Sequence, residues 1–159
     1  MVGGEDRIGV TGNGHANSTS AGGGRHEAAP YLLLVENNDD DVFLTLRSLA
    51  RNRFMLPVRV VQDGRKALEV LTEGGELPLA VLVSYRLPVM TGVDIIEKLR
   101  ANDRTRHTPA ILVTASENER EHVYDRRACE RTVSACMVKP IGYDSLVHQL
   151  CTLDLLDDC

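Results

Sequence analysis

The sequence predicts an α/β fold built as a doubly wound parallel sheet, and three observations carry that prediction. Short apolar runs alternate with segments whose apolar residues recur at helical spacing. The alternation repeats five times between Tyr31 and Leu153, as βα units in series would produce. Residues that start turns and helices stand at the changeovers, in Asn37-Asn38-Asp39, in Asp63-Gly64 and in the stretch from Pro88 to Gly92.

The elements follow in order. Tyr31 to Val35 is a continuous apolar run and reads as the first strand. A helix starts after the Asn37-Asn38-Asp39 cluster, with Val42, Phe43, Leu46 and Leu49 at helical spacing. Asp39, Asp40 and Asp41 are N-cap and first-turn acids favoured by the helix dipole. Val58 to Val61 is the second strand, and Asp63-Gly64 turns into a helix bearing Ala67, Leu68 and Leu71. Leu79 to Ser84 is the third strand, and Gly92 to Arg100 a helix with Val93, Ile95, Ile96 and Leu99 inward. The fourth strand is Pro109 to Val113, and a charged helix runs from about Asn118 to Ala128. Ala135 to Val138 is a short fifth strand, and Asp144 to Leu153 the closing helix.

At 159 residues the chain fits one domain plus a tail. Residues 1–29 hold most of the glycines with Ser18, Thr19 and Ser20 among them, cannot offset their chain entropy by burial, and read as disordered. Residues 30–159 form the domain. A net charge of −5 invites neither nucleic acid nor an anionic membrane surface. No apolar run is long enough to span a bilayer and no signal peptide is legible, so a cytoplasmic location is expected. The four cysteines lack zinc-site spacing. Cys136 and Cys151 read as reduced core thiols, and Cys159 as an exposed terminal thiol.

In a doubly wound sheet, chemistry sits at the carboxyl ends of the strands. Glu36-Asn37 ends the first strand, Ser84 the third, Thr114-Ala115 the fourth and Lys139-Pro140 the fifth. The ordered set Glu36, Ser84, Leu87-Pro88-Val89-Met90-Thr91-Gly92, Thr114-Ala115-Ser116 and Lys139-Pro140 resembles the receiver domain of response regulators over residues 31–153. The resemblance implies a flavodoxin-like (βα)5 fold with strand order 2-1-3-4-5. In that family an aspartate ending the third strand accepts a phosphoryl group from a histidine kinase. It does so beside a magnesium ion held by that aspartate and two acids on the first strand, because magnesium takes oxygen ligands and carboxylates neutralise its charge.

This chain departs from the pattern at the acceptor site. Ser84 replaces the acceptor aspartate, and Asn37 replaces the second acid, leaving Glu36 as the one carboxylate candidate for a metal. A serine hydroxyl needs a general base to become a nucleophile. The family's aromatic switch residue, three positions before the lysine, is here Cys136, too small to act as the same rotor. Lys139 is expected to tether to Glu36, and Thr114 to satisfy backbone groups.

The resemblance therefore implies a pseudo-receiver that is not an enzyme, needs no cofactor and works by protein contact. Helix one with the following Arg51-Asn52-Arg53-Phe54 resembles receivers that serve bacterial phytochromes, so a sensor histidine kinase or phosphotransfer protein, of phytochrome type, is the implied partner. Nothing after Leu153 reads as an output domain. Leu146, Val147, Leu150, Leu153, Leu155 and Leu156 exceed what one buried face requires, which predicts a homodimer through helix 4, strand 5 and helix 5. The alternatives are phosphorylation of Ser84 or of a displaced acid (Asp39 or Asp40), and a flavodoxin-like binder of a small ligand.

Overall fold

The computed structural model describes residues 29–124, 132–157 and 159. The expected disordered tail, apart from residue 29, and the end of the charged fourth helix with Cys129 lie outside these residues. Five parallel strands form one sheet in the order β2-β1-β3-β4-β5. They are β1 (Leu32–Val35), β2 (Val58–Val61), β3 (Ala80–Ser84), β4 (Ala110–Thr114) and β5 (Ala135–Val138). The described helices are α1 (Asp39–Arg51), α2 (Gly64–Thr72), α3 (Gly92–Arg100), α4 (Glu117–Tyr124) and α5 (Tyr143–Thr152).

Strand alternation sorts the core into two layers. Leu32 and Leu34 of β1, Ala80 and Leu82 of β3, and Ile111 and Val113 of β4 pack with Leu49 of α1 and Leu146 and Leu150 of α5. Leu33 and Val35, Val81 and Val83, and Ala110 and Leu112 face the other way, onto Ala67 and Leu71 of α2, Ile95, Ile96 and Leu99 of α3, and Val123 of α4. Strands covered on both faces read as unbroken apolar runs, which is why they were visible in the sequence.

Local chemistry sets the helix starts. Asn38, not one of the aspartates, is the N-cap of α1: its Oδ1 accepts from the Asp41 amide at 2.9 Å, and the three acids fill the first turn. Asp63 caps α2 through the Arg65 amide, and Thr91 and Asp94 form a reciprocal capping box on α3. The fourth strand starts after Pro109, which has no N–H for the ladder, and extends to Thr114. Helix α5 begins and ends one residue before the expected positions.

Two expectations are corrected. Cys151 is not a reduced core thiol: it is bonded to Cys159, with a Cα–Cα distance of 5.8 Å. The chain turns back after α5, where Asp154 takes φ +60°, and nothing in the residue pattern signalled that turn. The surplus of apolar residues on α5 also disappears. Leu146 and Leu150 are buried, and Val147, Leu153, Leu155 and Leu156 are half-buried against the same core layer. Among the described residues no helix is long and apolar enough to cross a membrane.

Gly92 shows how tightly the loop after β3 is set. A Cβ there would lie 2.5 Å from the Ser84 carbonyl oxygen and 2.9 Å from Leu112 Cδ1. Gly92 also donates its N–H to the Tyr85 carbonyl at 2.8 Å, so the backbone cannot withdraw freely. Gly92→Ala is expected to lower stability by about 2 kcal/mol through overpacking, measured by urea unfolding. A midpoint equal to that of the wild type would mean that the loop after β3 is looser than described.

Candidate functional site

The expected residues do converge on the rim formed by the carboxyl ends of the strands. Glu36 follows β1 directly and is 3% exposed. Its Oε1 lies 2.7 Å from Lys139 Nζ, and its Oε2 accepts the Asn38 N–H at 3.0 Å. Lys139 Nζ also donates to Asp41 Oδ2 at 2.7 Å. One ammonium thus joins the end of β1, the first turn of α1 and the end of β5. Burial works to lower the pKa of Lys139, but its bonds to Asp41 and Glu36 outweigh that and hold it above the usual lysine value. Asn37 is exposed and takes no part in this group.

Ser84 is the last residue of β3 and is 3% exposed. By strand alternation Ser84 continues the layer of Ala80 and Leu82, the side that α1 and α5 cover. The loop beyond it tightens at Val89, which sits at φ +73° with the Met90 N–H donated to the Pro88 carbonyl at 2.8 Å. A β-branched residue at positive φ is strained by about 1–3 kcal/mol, and Val89 is 85% exposed, so no packing of its own offsets the strain.

Thr114 ends β4 fully buried, with Oγ1 3.4 Å from the carbonyls of both Ser116 and Met137. Cys136 packs half-buried in the layer on α2, α3 and α4. Thr114 and Cys136 therefore lie on the face opposite to Ser84. Glu119 of α4 reaches back to the rim: its Oε1 accepts the Ala115 N–H at 2.8 Å, and its Oε2 pairs with Arg86 Nε. Ser116 Oγ accepts the Glu119 N–H, which secures the first turn of α4. Burial works to raise the Glu119 pKa, but the Ala115 N–H, Arg86 and Lys139 together pull it below the usual carboxylate value.

Three residues of this rim were not singled out in the sequence: Asp41 as a partner of Lys139, Arg86 and Glu119. Glu119 had a legible signal, since Ser116-Glu117-Asn118-Glu119 is a capping-box pattern. Asp41 and Arg86 had none, because their partners are brought near only by folding.

The donor set does not fit the magnesium ion that the resemblance implies. Both oxygens of Glu36 are engaged, Ser84 offers a neutral hydroxyl, and Asn37 is turned to solvent. Among the described residues no group of three or more His, Cys, Asp or Glu side chains is arranged to hold a metal. The groove beside the rim is lined by Tyr85, Arg86, Leu87, Thr91, Glu119 and His122, among others.

Comparison with known proteins finds the response regulator receiver domain over residues 32–151. The chemotaxis protein CheY of Pseudomonas aeruginosa is 31% identical over 114 residues, covering 69% of this chain and 88% of its own. Among solved structures, the bacteriophytochrome response regulator AtBRR superposes with a TM-score of 0.74 at 28% identity, covering 84% of this chain and 98% of that one. The bacteriophytochrome response regulator RtBRR gives 0.70 at 27% identity, covering 83% and 82%.

The depressed pKa of Glu119 has a sign that can be tested. A carboxyl whose pKa is lower folded than unfolded adds stability above its unfolded value, and that contribution disappears as the pH falls through the folded value. Glu119→Gln is expected to be less stable than wild type above about pH 5, with the gap closing as the pH falls below the ordinary carboxylate range, read by urea titration across pH. A gap independent of pH would show that the carboxylate charge is not what Ala115 and Arg86 hold.

Proposed function

The chain belongs to the response regulator receiver domain family, and from that premise we propose that it is an atypical receiver. In this reading it acts in two-component-type signalling through protein–protein contacts, without aspartyl phosphorylation. The observation that carries the reading is Ser84: a buried hydroxyl ends β3 where the family's chemistry needs a carboxylate. A neutral serine neither attracts a cation nor attacks phosphorus without a base. Glu36, the nearest acid in the pattern, is committed to Lys139 and the Asn38 amide. The phosphate ester that a serine would form is far more inert than an acyl phosphate and unsuited to a short-lived signal.

The partner in this reading is a sensor histidine kinase or a phosphotransfer protein. The similarity to two bacteriophytochrome response regulators supports a phytochrome-type system. Helix α1, which starts at the rim, carries Phe43 and Leu44 at 60% and 49% exposure, and such an apolar pair is surface that a protein partner would cover. The working location is cytoplasmic, and neither a catalysed reaction nor nucleic-acid binding is part of the proposal. A homodimer through α4, β5 and α5 would have to use the polar face of α4 and the open edge of β5, since the leucines of α5 already pack inward.

Three experiments test this reading. Intact mass after incubation with magnesium and acetyl phosphate, beside a working receiver, is expected to stay unchanged. A gain of one phosphoryl group, mapped to Ser84 or to Asp39, Asp40 or Asp41, would overturn it. The Asn37→Asp/Ser84→Asp variant should then gain magnesium affinity by about tenfold or more by calorimetry, as two added carboxylates predict; no gain would mean that the site is misplaced. Gel filtration at micromolar concentration is expected to give a dimer, and a strict monomer would remove the dimer from the proposal.

A further inference from the structure

Helix α5 ends at Thr152, and the chain then folds back along it. Leu153 donates its N–H to the Gln149 carbonyl at 3.0 Å, Asp154 to the Cys151 carbonyl at 2.9 Å, and Leu155 to the Leu150 carbonyl at 2.8 Å. Asp154 makes the reversal at φ +60°. The turn seats Leu153, Leu155 and Leu156, all half-buried, against the core layer that contains Leu146 and Leu150. Ordering so short a segment offsets much of what three half-buried leucines contribute. The disulfide between Cys151 and Cys159, eight residues apart, closes this segment into a ring and removes much of that entropy from the open state. Cys151 is half-buried at the end of α5, whereas Cys159 is exposed, so one sulfur of the bond is open to a thiolate from solvent.

We propose that the Cys151–Cys159 disulfide is a reducible clasp, a modification site for a dithiol reductant, that controls whether residues 153–157 stay docked on the core layer. A thiolate of the reductant attacks Cys159 Sγ. The S–S bond breaks, a mixed disulfide forms, and Cys151 leaves as a thiolate that takes up a proton. The second thiol of the reductant then attacks its own sulfur in the mixed disulfide, releasing Cys159, which is also protonated. Two electrons and two protons pass to the protein, and the reductant becomes a disulfide. With the ring open, the leucines leave the core layer and apolar surface at the end of α5 meets solvent. This input does not pass through Ser84 and does not depend on whether the rim accepts a phosphoryl group.

The test uses the full chain. After equilibration with glutathione disulfide, peptide mass mapping should find Cys151 and Cys159 joined to each other, and both should be alkylated after dithiothreitol. Hydrogen exchange by mass spectrometry should show the amides of residues 153–157 exchanging about tenfold faster or more once reduced, with β1 and β3 unchanged. The Cys151→Ser/Cys159→Ser variant should match the reduced protein without any reductant. Alkylation of Cys151 and Cys159 before reduction would overturn the proposal, as would equal exchange of residues 153–157 in both states. Faster exchange spreading through β1 and β3 would overturn it too, by showing a staple for the whole fold rather than a clasp on its end.

Discussion

Glu36 is a carboxylate withdrawn almost entirely from water, and a charge in that position costs several kcal/mol unless it is paired. Lys139 pairs it, the Asn38 amide satisfies the second oxygen, and Asp41 takes up the remaining side of the ammonium. These contacts connect residues almost a hundred positions apart in sequence, since Asp41 and Lys139 are separated by 98. The rim depends on them. They fix the start of α1 and the end of β5 relative to β1, between which Ser84 and Thr114 stand on the inner strands. A lysine placed between two carboxylates keeps its charge more firmly than a free lysine. Its share of the stability is therefore present below the unfolded lysine pKa and is lost only as the pH rises through the still higher folded value.

A second set of charged contacts works on the other side of Ser84. Arg86, Glu119 and the Ala115 amide join the loop after β3 to the first turn of α4. Ser84 thus lies between two groups of ionic contacts that are already satisfied within the chain. The strained Val89 loop belongs to the same region. Its backbone is held by the Gly92 N–H on the Tyr85 carbonyl and by the capping box of Thr91 and Asp94.

Most of the fold was legible because a parallel sheet covered on both faces leaves an unambiguous trace. Val81, Leu82 and Val83 could not be mistaken for a half-exposed strand, and Asp63, Thr91 and Gly92 announced their helix starts. The rim residues that end strands were legible for the same reason, since strand ends could be located to within a residue. The sequence marks Asp41 as a first-turn acid, which it is, but carries no sign of its bond to Lys139. The leucines of α5 and its tail exceed one helical face in sequence, yet they pack on one core layer. Periodicity shows how many faces a straight helix has, but not that the chain folds back to bury the remainder.

By itself, the sequence determined the five βα units, the family's ordered set of strand-end residues and the exchange of a carboxylate for Ser84, all of which are local patterns or residue identities. The tertiary structure decided the pairing of Lys139 with two acids, the bridge from Arg86 through Glu119 to Ala115, and the bond between Cys151 and Cys159. Each of these depends on a distance set by how helices lie on the sheet or by one residue at positive φ. Such distances are fixed by the packing of the whole domain, and no window of sequence contains them.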